Sequence, residues 1–446
     1  MIEYLWLPII LLLYWRTWKY KILLDDHVPR GGYLLTLFDD VPRPPHSYYE
    51  QQRSWLATFT NIGTFVITCW AIHVSFGWKS ALLYAVFPLN VSGVAWTTGN
   101  YYMSTAWLIM VCWYLAQVGW IWLSSIFYIT ALGTTVAAIP FAFYYAIVGW
   151  SQYKWISFIM FVPLFFFIYG YRFQTGLKKR KAVHDNLGVE AGVFRYNKLY
   201  AVIKVIAYYL VLSLWPSRLG FFHDFYRAEE MEKRVYRPTI QFWLSSILII
   251  LFFVWGIYID WKMTLWWFFF IGIFSQFVTF GQFVSERYTY IANIAFCVLV
   301  AKYLPWELFI MLATLYFYRT HLYIPAWRNC KTLFIEGTIA FPKTAENYVN
   351  LSSWYIECKQ HLKAAEMLLA ALKLSNIKQS FNIHMNLANC YVACGMFGKA
   401  YEHTLKGLEQ APINEIDNVK KQADAIKKRM DKIDWQRSRL KKEGII

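Results

Sequence analysis

Two adjacent aspartates, Asp25 and Asp26, follow the first apolar segment of the chain, where a membrane helix would release it into water. A second pair, Asp39 and Asp40, stands in the same short loop, with Arg43 close behind. Carboxylates at a membrane surface have two common chemical uses. They take a proton from a nucleophile, or they hold a cation or a cationic substrate. Solvated loop charge is the plainer account. No CxxC pair and no His at zinc spacing occurs among the seven cysteines, so a structural metal site is not expected.

The elements that must position these groups are those of a membrane protein. Of 446 residues, 58% are hydrophobic and 20% aromatic, and the mean hydropathy is +0.32. That apolar excess exceeds what a soluble globular protein of this size needs. The net charge of +17 accompanies long apolar runs, so anionic lipid head groups or a phosphorylated lipid substrate fit better than nucleic acid. A bilayer span needs about 20 mostly apolar residues. On that criterion about eleven spans are expected, near 2–21, 56–76, 78–97, 102–118, 120–148, 154–172, 199–216, 239–259, 263–283, 288–302 and 304–319. The first reads as a retained signal-anchor helix. Residues 120–148 are too long for one straight span, and Pro140 could divide them into two short ones.

Lys178, Lys179, Arg180 and Lys181, with Arg195 and Lys198, form the densest basic stretch between spans, which the positive-inside rule places in the cytoplasm. Counting from there puts the Asp25/Asp26 loop, residues 217–238, Arg287 and the C-terminal domain outside. Arg16, Lys19 and Lys21 then run against the rule and must snorkel.

After about residue 340 amphipathic helices of soluble type take over, and a repeat appears. A 34-residue unit beginning at Ala345 carries Tyr348, Leu351, Tyr355, Ala364, Leu368 and Ala371. A second, beginning at Phe381, carries Leu387, Ala388, Tyr391, Ala400 and Pro412 in the same register. This is tetratricopeptide spacing, in which small residues let paired helices approach closely. The stretch 414–446 reads as a charged capping helix. The expected fold is therefore all-α, with a polytopic membrane bundle over 1–340 and a short helical-repeat domain over 341–446.

Four stretches, in order, resemble the GT-C class of membrane glycosyltransferases, in particular the transmembrane O-mannosyltransferases that carry tetratricopeptide repeats. LLDDHVP is similar to the acidic motif those enzymes place in their first outer loop. FPLNVSGVAWTTG (87–99) resembles their HPxxxExVAWxxG, with Asn90 and Trp96 matching but Phe87 in place of His and Ser92 in place of the acid. YYLVLSLWPSRLGFFHDF (208–225) resembles YLxLLLxPxxLxxDY. SERYTYIANIAFCVLVA (285–301) resembles ERYxYxPSxGxxxLxA, with Glu286, Arg287 and Tyr288 matching and Ala292 where Pro is usual.

The resemblance implies transfer of a sugar from a polyprenyl-phosphate donor, on the outer face, to a Ser or Thr hydroxyl of a translocated protein. A hydroxyl needs a positioned carboxylate to take its proton, and the leaving phosphate needs a fixed cation. Asp26, with Asp25 beside it, is the expected base, with Asp39/Asp40 in reserve. Arg287 and Arg218 would meet the phosphate, since a guanidinium fork binds it bidentately, with Arg43 in reserve. His223, Asp224, Glu286 and Tyr288 would orient substrate. For Arg287, pairing with Glu286 or snorkelling is the plainer account, and for His223 and Asp224 it is solvation. A single displacement would invert the anomeric carbon.

Two carboxylates fall short of the ligand set a hard divalent cation wants, so no cofactor is expected. Type IV pilin glycosyltransferases of the bacterial inner membrane are a matching subclass, which would make the acceptor pilin-like and the C-terminal domain periplasmic. Three rivals remain: a glycan or lipid acceptor, a non-enzymatic scaffold, and a transporter. The last is disfavoured by the scarcity of charges within spans and the lack of obvious halves.

Overall fold

The computed structural model describes residues 2–20, 55–96, 99–169, 194–223, 240–277, 284–374, 377–413 and 415–443. Among these residues every regular element is helical, as the all-α reading requires. Described residues up to Leu333 form one compact unit, and those from Phe334 onward a second.

In the first unit the helices stop where punctuation residues dictate. Gly77, at φ 89°, turns the chain between Trp55–Phe76 and Trp78–Ala85, a conformation that a residue with a Cβ adopts at a cost. The expected span 78–97 breaks after Ala85, because Pro88 lacks an N–H to continue it. Carbonyls near the break find side-chain donors: Asn90 Nδ2 donates to Tyr84 O (2.9 Å) and Thr320 Oγ1 to Val86 O (2.7 Å). Residues 120–148 do not form one span. Ile121–Thr134 ends at an extended Thr135, and Pro140 opens the next helix, Pro140–Tyr153. The Tyr153 hydroxyl then donates to Gln117 O (3.3 Å), so the pair runs out and back to the end of Asn100–Gln117.

Ile240–Gly272 is likewise two helices. Asp260 sits at φ −150°, ψ 89°, and the rings of Phe252 and Trp267 lie 5.3 Å apart. Fifteen residues of straight helix would separate them by about 22 Å. The chain therefore folds back at Asp260. Its carboxylate accepts from Met263 N–H and from Lys302 Nζ, both at 3.2 Å. Gly256 lies so close to Thr264 that a Cβ would collide with it. The fold-back falls in the gap expected between 239–259 and 263–283.

Two stretches, Thr58–Phe76 and Trp243–Ser275, are long and apolar enough to cross a membrane; four more apolar helices are shorter. The expected first span is one of the shortened elements, an α-helix Trp6–Tyr14 between two 3-10 turns.

The first unit carries large apolar side chains on its surface as well as in its core, and a few polar ones inside. Asn61, Thr68, Asn90, Ser92, Thr105 and Ser124 are buried. Leu244, Ile247, Leu251, Val254, Phe166 and Trp122 are each more than half exposed. Leu244, Ile247, Leu251 and Val254 share one face of their helix.

In the second unit the residues singled out by spacing face inward, except Pro412, which is exposed. Leu351, Ala364, Leu368, Ala371, Leu387, Ala388, Tyr391 and Ala400 are buried, and Tyr348 and Tyr355 pack half-buried against them. Ala345–Glu357 pairs with His361–Leu372, and Ile377–Ala393 with Phe397–Glu409. The two interhelical turns are built alike. Gln360 N–H donates to Tyr355 O and Met396 N–H to Tyr391 O, each at 2.8 Å. Lys359 (φ 57°) and Gly395 (φ 72°) occupy the same left-handed position. Ile416–Lys442 closes the unit, burying Val419, Ala423 and Ile426.

Candidate functional site

Three segments distant in sequence meet around Arg287. The first ends at Trp96, whose carbonyl and that of Val94 accept from Asn61 Nδ2 (3.1 and 3.2 Å). Gly93 gives the segment its close fit, since a Cβ there would stand 2.7 Å from the Tyr290 ring. Next to it the Ser92 hydroxyl hydrogen-bonds the Tyr290 hydroxyl.

The second segment, Trp215–His223, follows the helix Phe194–Leu214 as irregular chain, which Pro216 keeps from continuing the helix. Arg319 holds it, donating to the carbonyls of Pro216 (3.2 Å) and Ser217 (2.8 Å). The third is the turn Glu286–Thr289 that opens Tyr290–Tyr303. Ser285 N–H donates to the Tyr209 hydroxyl (3.1 Å), and Thr289 Oγ1 to Glu286 O (2.7 Å).

Glu286 is 2% exposed and is the polar centre of this junction. Its Oε1 accepts from Gly220 N–H at 2.7 Å. The Tyr323 hydroxyl lies 3.3 and 3.1 Å from the two carboxylate oxygens. His223 Nε2 stands 3.5 Å from Oε1, and its Nδ1 is 2.8 Å from the Tyr208 hydroxyl. A carboxylate on the Nε2 side favours the Nε2–H tautomer, which leaves Nδ1 to accept from Tyr208. The buried carboxylate thus accepts from two donors, Gly220 N–H and the Tyr323 hydroxyl, with His223 Nε2 beside it.

Arg287 points elsewhere. Its guanidinium carbon lies 5.4, 5.3 and 5.2 Å from the ring centres of Trp96, Phe221 and Tyr288. Phe274 stacks on Tyr288 at 4.3 Å with the planes 1° apart, and Trp327 stands behind Trp96 and Phe221. Aromatic faces attract a cation electrostatically, by about 0.5–2 kcal/mol each depending on desolvation. They engage the plane of the guanidinium, whereas its hydrogen-bond donors lie at the edge, the geometry used for bidentate capture of phosphate or carboxylate.

Of the expected site residues, Glu286, Arg287, Tyr288 and His223 are brought together. Arg218 lies in the same loop but is exposed, and makes no hydrogen bond or ion pair among the described residues. Asp25, Asp26, Asp39, Asp40, Arg43 and Asp224 lie outside the described residues. Tyr323, the Gly220 N–H and Tyr208 were not anticipated as part of the site. Among the described residues no group of three or more His, Cys, Asp or Glu is placed to hold a metal. No family model, curated protein or solved structure matches the chain.

Proposed function

We propose that this chain is an integral membrane glycosyltransferase of GT-C type. In this reading it transfers a sugar from a polyprenyl-phosphate donor to a protein hydroxyl on the outer face. The observation that carries the reading is the convergence of Trp96, Phe221 and Arg287. They come from three separate stretches singled out by motif, and they assemble one caged cation beside one buried carboxylate. Arg287 serves as the fixed positive charge for the departing lipid phosphate, where charge grows in the transition state. Asp26, with Asp25 beside it, takes the acceptor proton. Glu286, His223 and Tyr288 position the cation and need not touch the substrate.

The exposed apolar side chains of the first unit support bilayer residence. So does the fold-back at Asp260, which divides the longest apolar stretch into two elements near span length. The divided stretch 121–153 adds a reversal to the count of spans, so sidedness rests better on contacts than on parity. Trp96, Gly220, His223 and Glu286 lie together, as expected for loops on one face. The paired turns and buried small residues of the second unit support a tetratricopeptide reading, with a short groove for the acceptor.

The test is mass spectrometry of surface and secreted proteins from cells carrying the full chain or its variants, at matched abundance in the membrane. Arg287→Ala and the double variant Asp25→Asn/Asp26→Asn should abolish the added sugar mass, while Arg218→Ala retains it. Full modification by Arg287→Ala overturns the phosphate assignment. No mass difference between cells with and without the chain overturns the enzyme reading.

A further inference from the structure

The closing helix Ile416–Lys442 has two opposed faces. Val419, Ala423 and Ile426 are buried. At about 100° per residue, Lys421, Lys428, Lys432, Trp435 and Arg439 fall within a sector roughly 60° wide, centred opposite that apolar face. All five are exposed, Trp435 by 61%. The row is about 27 Å long, from eighteen residues at 1.5 Å each. Residues 427–443 carry eight Lys and Arg against three Asp and Glu. Asp424 and Asp431 lie along one edge of the row, and Arg439 Nε makes a 2.7 Å exposed pair with Glu443. The Arg439 guanidinium also sits 5.9 Å from the Trp435 ring.

We propose that this row is a docking face for an anionic bilayer surface. A single exposed tryptophan needs no special account; one set in the middle of a straight basic row does. An indole flanked by long cationic side chains is the composition that settles at a lipid head-group layer, ring half-inserted and charges against phosphate. The row runs straight along one exposed face of a single helix, which matches a plane better than it wraps a peptide. The same chain carries Thr58–Phe76, long and apolar enough to cross a membrane, and the apolar stretch Trp243–Ser275, folded back at Asp260. A bilayer is then always within tethering reach, and the docking step is intramolecular in effect. This last step rests on the membrane reading given above.

The experiment places the full chain in nanodiscs of phosphatidylcholine alone, or of phosphatidylcholine with phosphatidylglycerol. Amide hydrogen exchange of residues 421–440 is then followed by mass spectrometry. Each cation near an anionic surface contributes roughly a fivefold preference, so exchange should slow by at least about tenfold in the anionic discs. The effect should disappear at high salt and in the triple variant Lys428→Glu/Lys432→Glu/Arg439→Glu. Neutral-disc exchange of that variant should match the parent, which shows that its helix is intact. Trp435→Ala with all cations kept should show partial slowing.

Equal exchange in the two discs overturns the proposal, as does slowing that survives charge reversal. Slowing produced by added polyglutamate but not by anionic lipid assigns the row to an acidic protein and overturns it too. A chain that fails to enter discs refutes the membrane reading alone. The row is then tested with added phosphatidylglycerol vesicles, judged by the same criteria.

Discussion

Replacing Glu286 probes the junction that holds the candidate site together. Its carboxylate accepts from Gly220 N–H at 2.7 Å and from the Tyr323 hydroxyl at 3.1 Å, and faces His223 at 3.5 Å. Glu286→Ala removes the common acceptor and leaves these buried donors unmet. Leaving a buried donor unsatisfied costs about 1–3 kcal/mol, so the two hydrogen-bond donors, Gly220 N–H and the Tyr323 hydroxyl, together set a loss of about 2–6 kcal/mol. Glu286→Gln keeps one acceptor oxygen for Gly220 and presents an amide that the Tyr323 hydroxyl can accept from. It loses charge assistance only, about 1–2 kcal/mol. Tyr323→Phe removes one donor to a charged acceptor and should cost a similar 1–2 kcal/mol. Thermal unfolding of the full chain in detergent should therefore rank Ala well below Gln and Phe. At the low end of 2–4 °C per kcal/mol, the Ala variant loses roughly 4–12 °C. The Glu286→Gln/Tyr323→Phe double variant should show a coupling above about 0.5 kcal/mol, because the two groups share one contact. Alanine no worse than glutamine, together with additive double-mutant effects, would refute the account of Glu286 as the fixed centre.

In the second unit, the Nδ1 atoms of buried His384 and His403 lie 2.9 Å apart, so one ring donates and the other accepts. Burial first, then the partner ring and Lys406, hold His384 below the ordinary 6.5. Burial also lowers His403, with Lys406 adding to the effect and Glu402 opposing it. The unfolded chain then takes up protons that the folded chain refuses. Stability is complete above about pH 6.5 and falls as pH drops toward the folded values, by up to about 1.4 kcal/mol per unit per unmatched proton. Hydrogen exchange of residues 377–409 across pH 7 to 5 checks this, and His403→Gln should flatten the dependence. At the matching turn of the first repeat, Lys359→Gly should stabilise the hairpin by about 0.5–1 kcal/mol. Relief of a left-handed residue outweighs the entropy that glycine adds to the unfolded chain. Exchange protection of residues 345–372 reads the gain, and unchanged or lower protection refutes it.

The second unit was legible in sequence because its signal is a size pattern repeated at fixed spacing. Ala364, Leu368, Ala371 and Ala400 are small or apolar where helices cross, and nothing but the local helical period is needed to place them. The break at Pro140 and the gap at Asp260 were legible for a related reason: a missing donor and a charge in an apolar run act locally. Span lengths were not legible. Whether Trp78–Ala85 continues depends on Val86 O and Tyr84 O finding donors on Thr320 and Asn90, and the first of these is more than two hundred residues away. The candidate site divides along the same line. Arg287 and Glu286 could be named because they are charged and stand where a motif resemblance places them. The partners that set their roles could not, since Gly220 contributes only a backbone N–H and Tyr323 is one tyrosine among 33. Nor does adjacency in sequence tell that Glu286 turns inward to Gly220 while Arg287 turns to Trp96 and Phe221. By giving Glu286 its own donors from two other segments, the fold keeps that carboxylate's charge occupied and aims the guanidinium at aromatic faces. Two adjacent charged residues thus serve different segments, Glu286 joining Gly220 and Tyr323 and Arg287 joining Trp96 and Phe221.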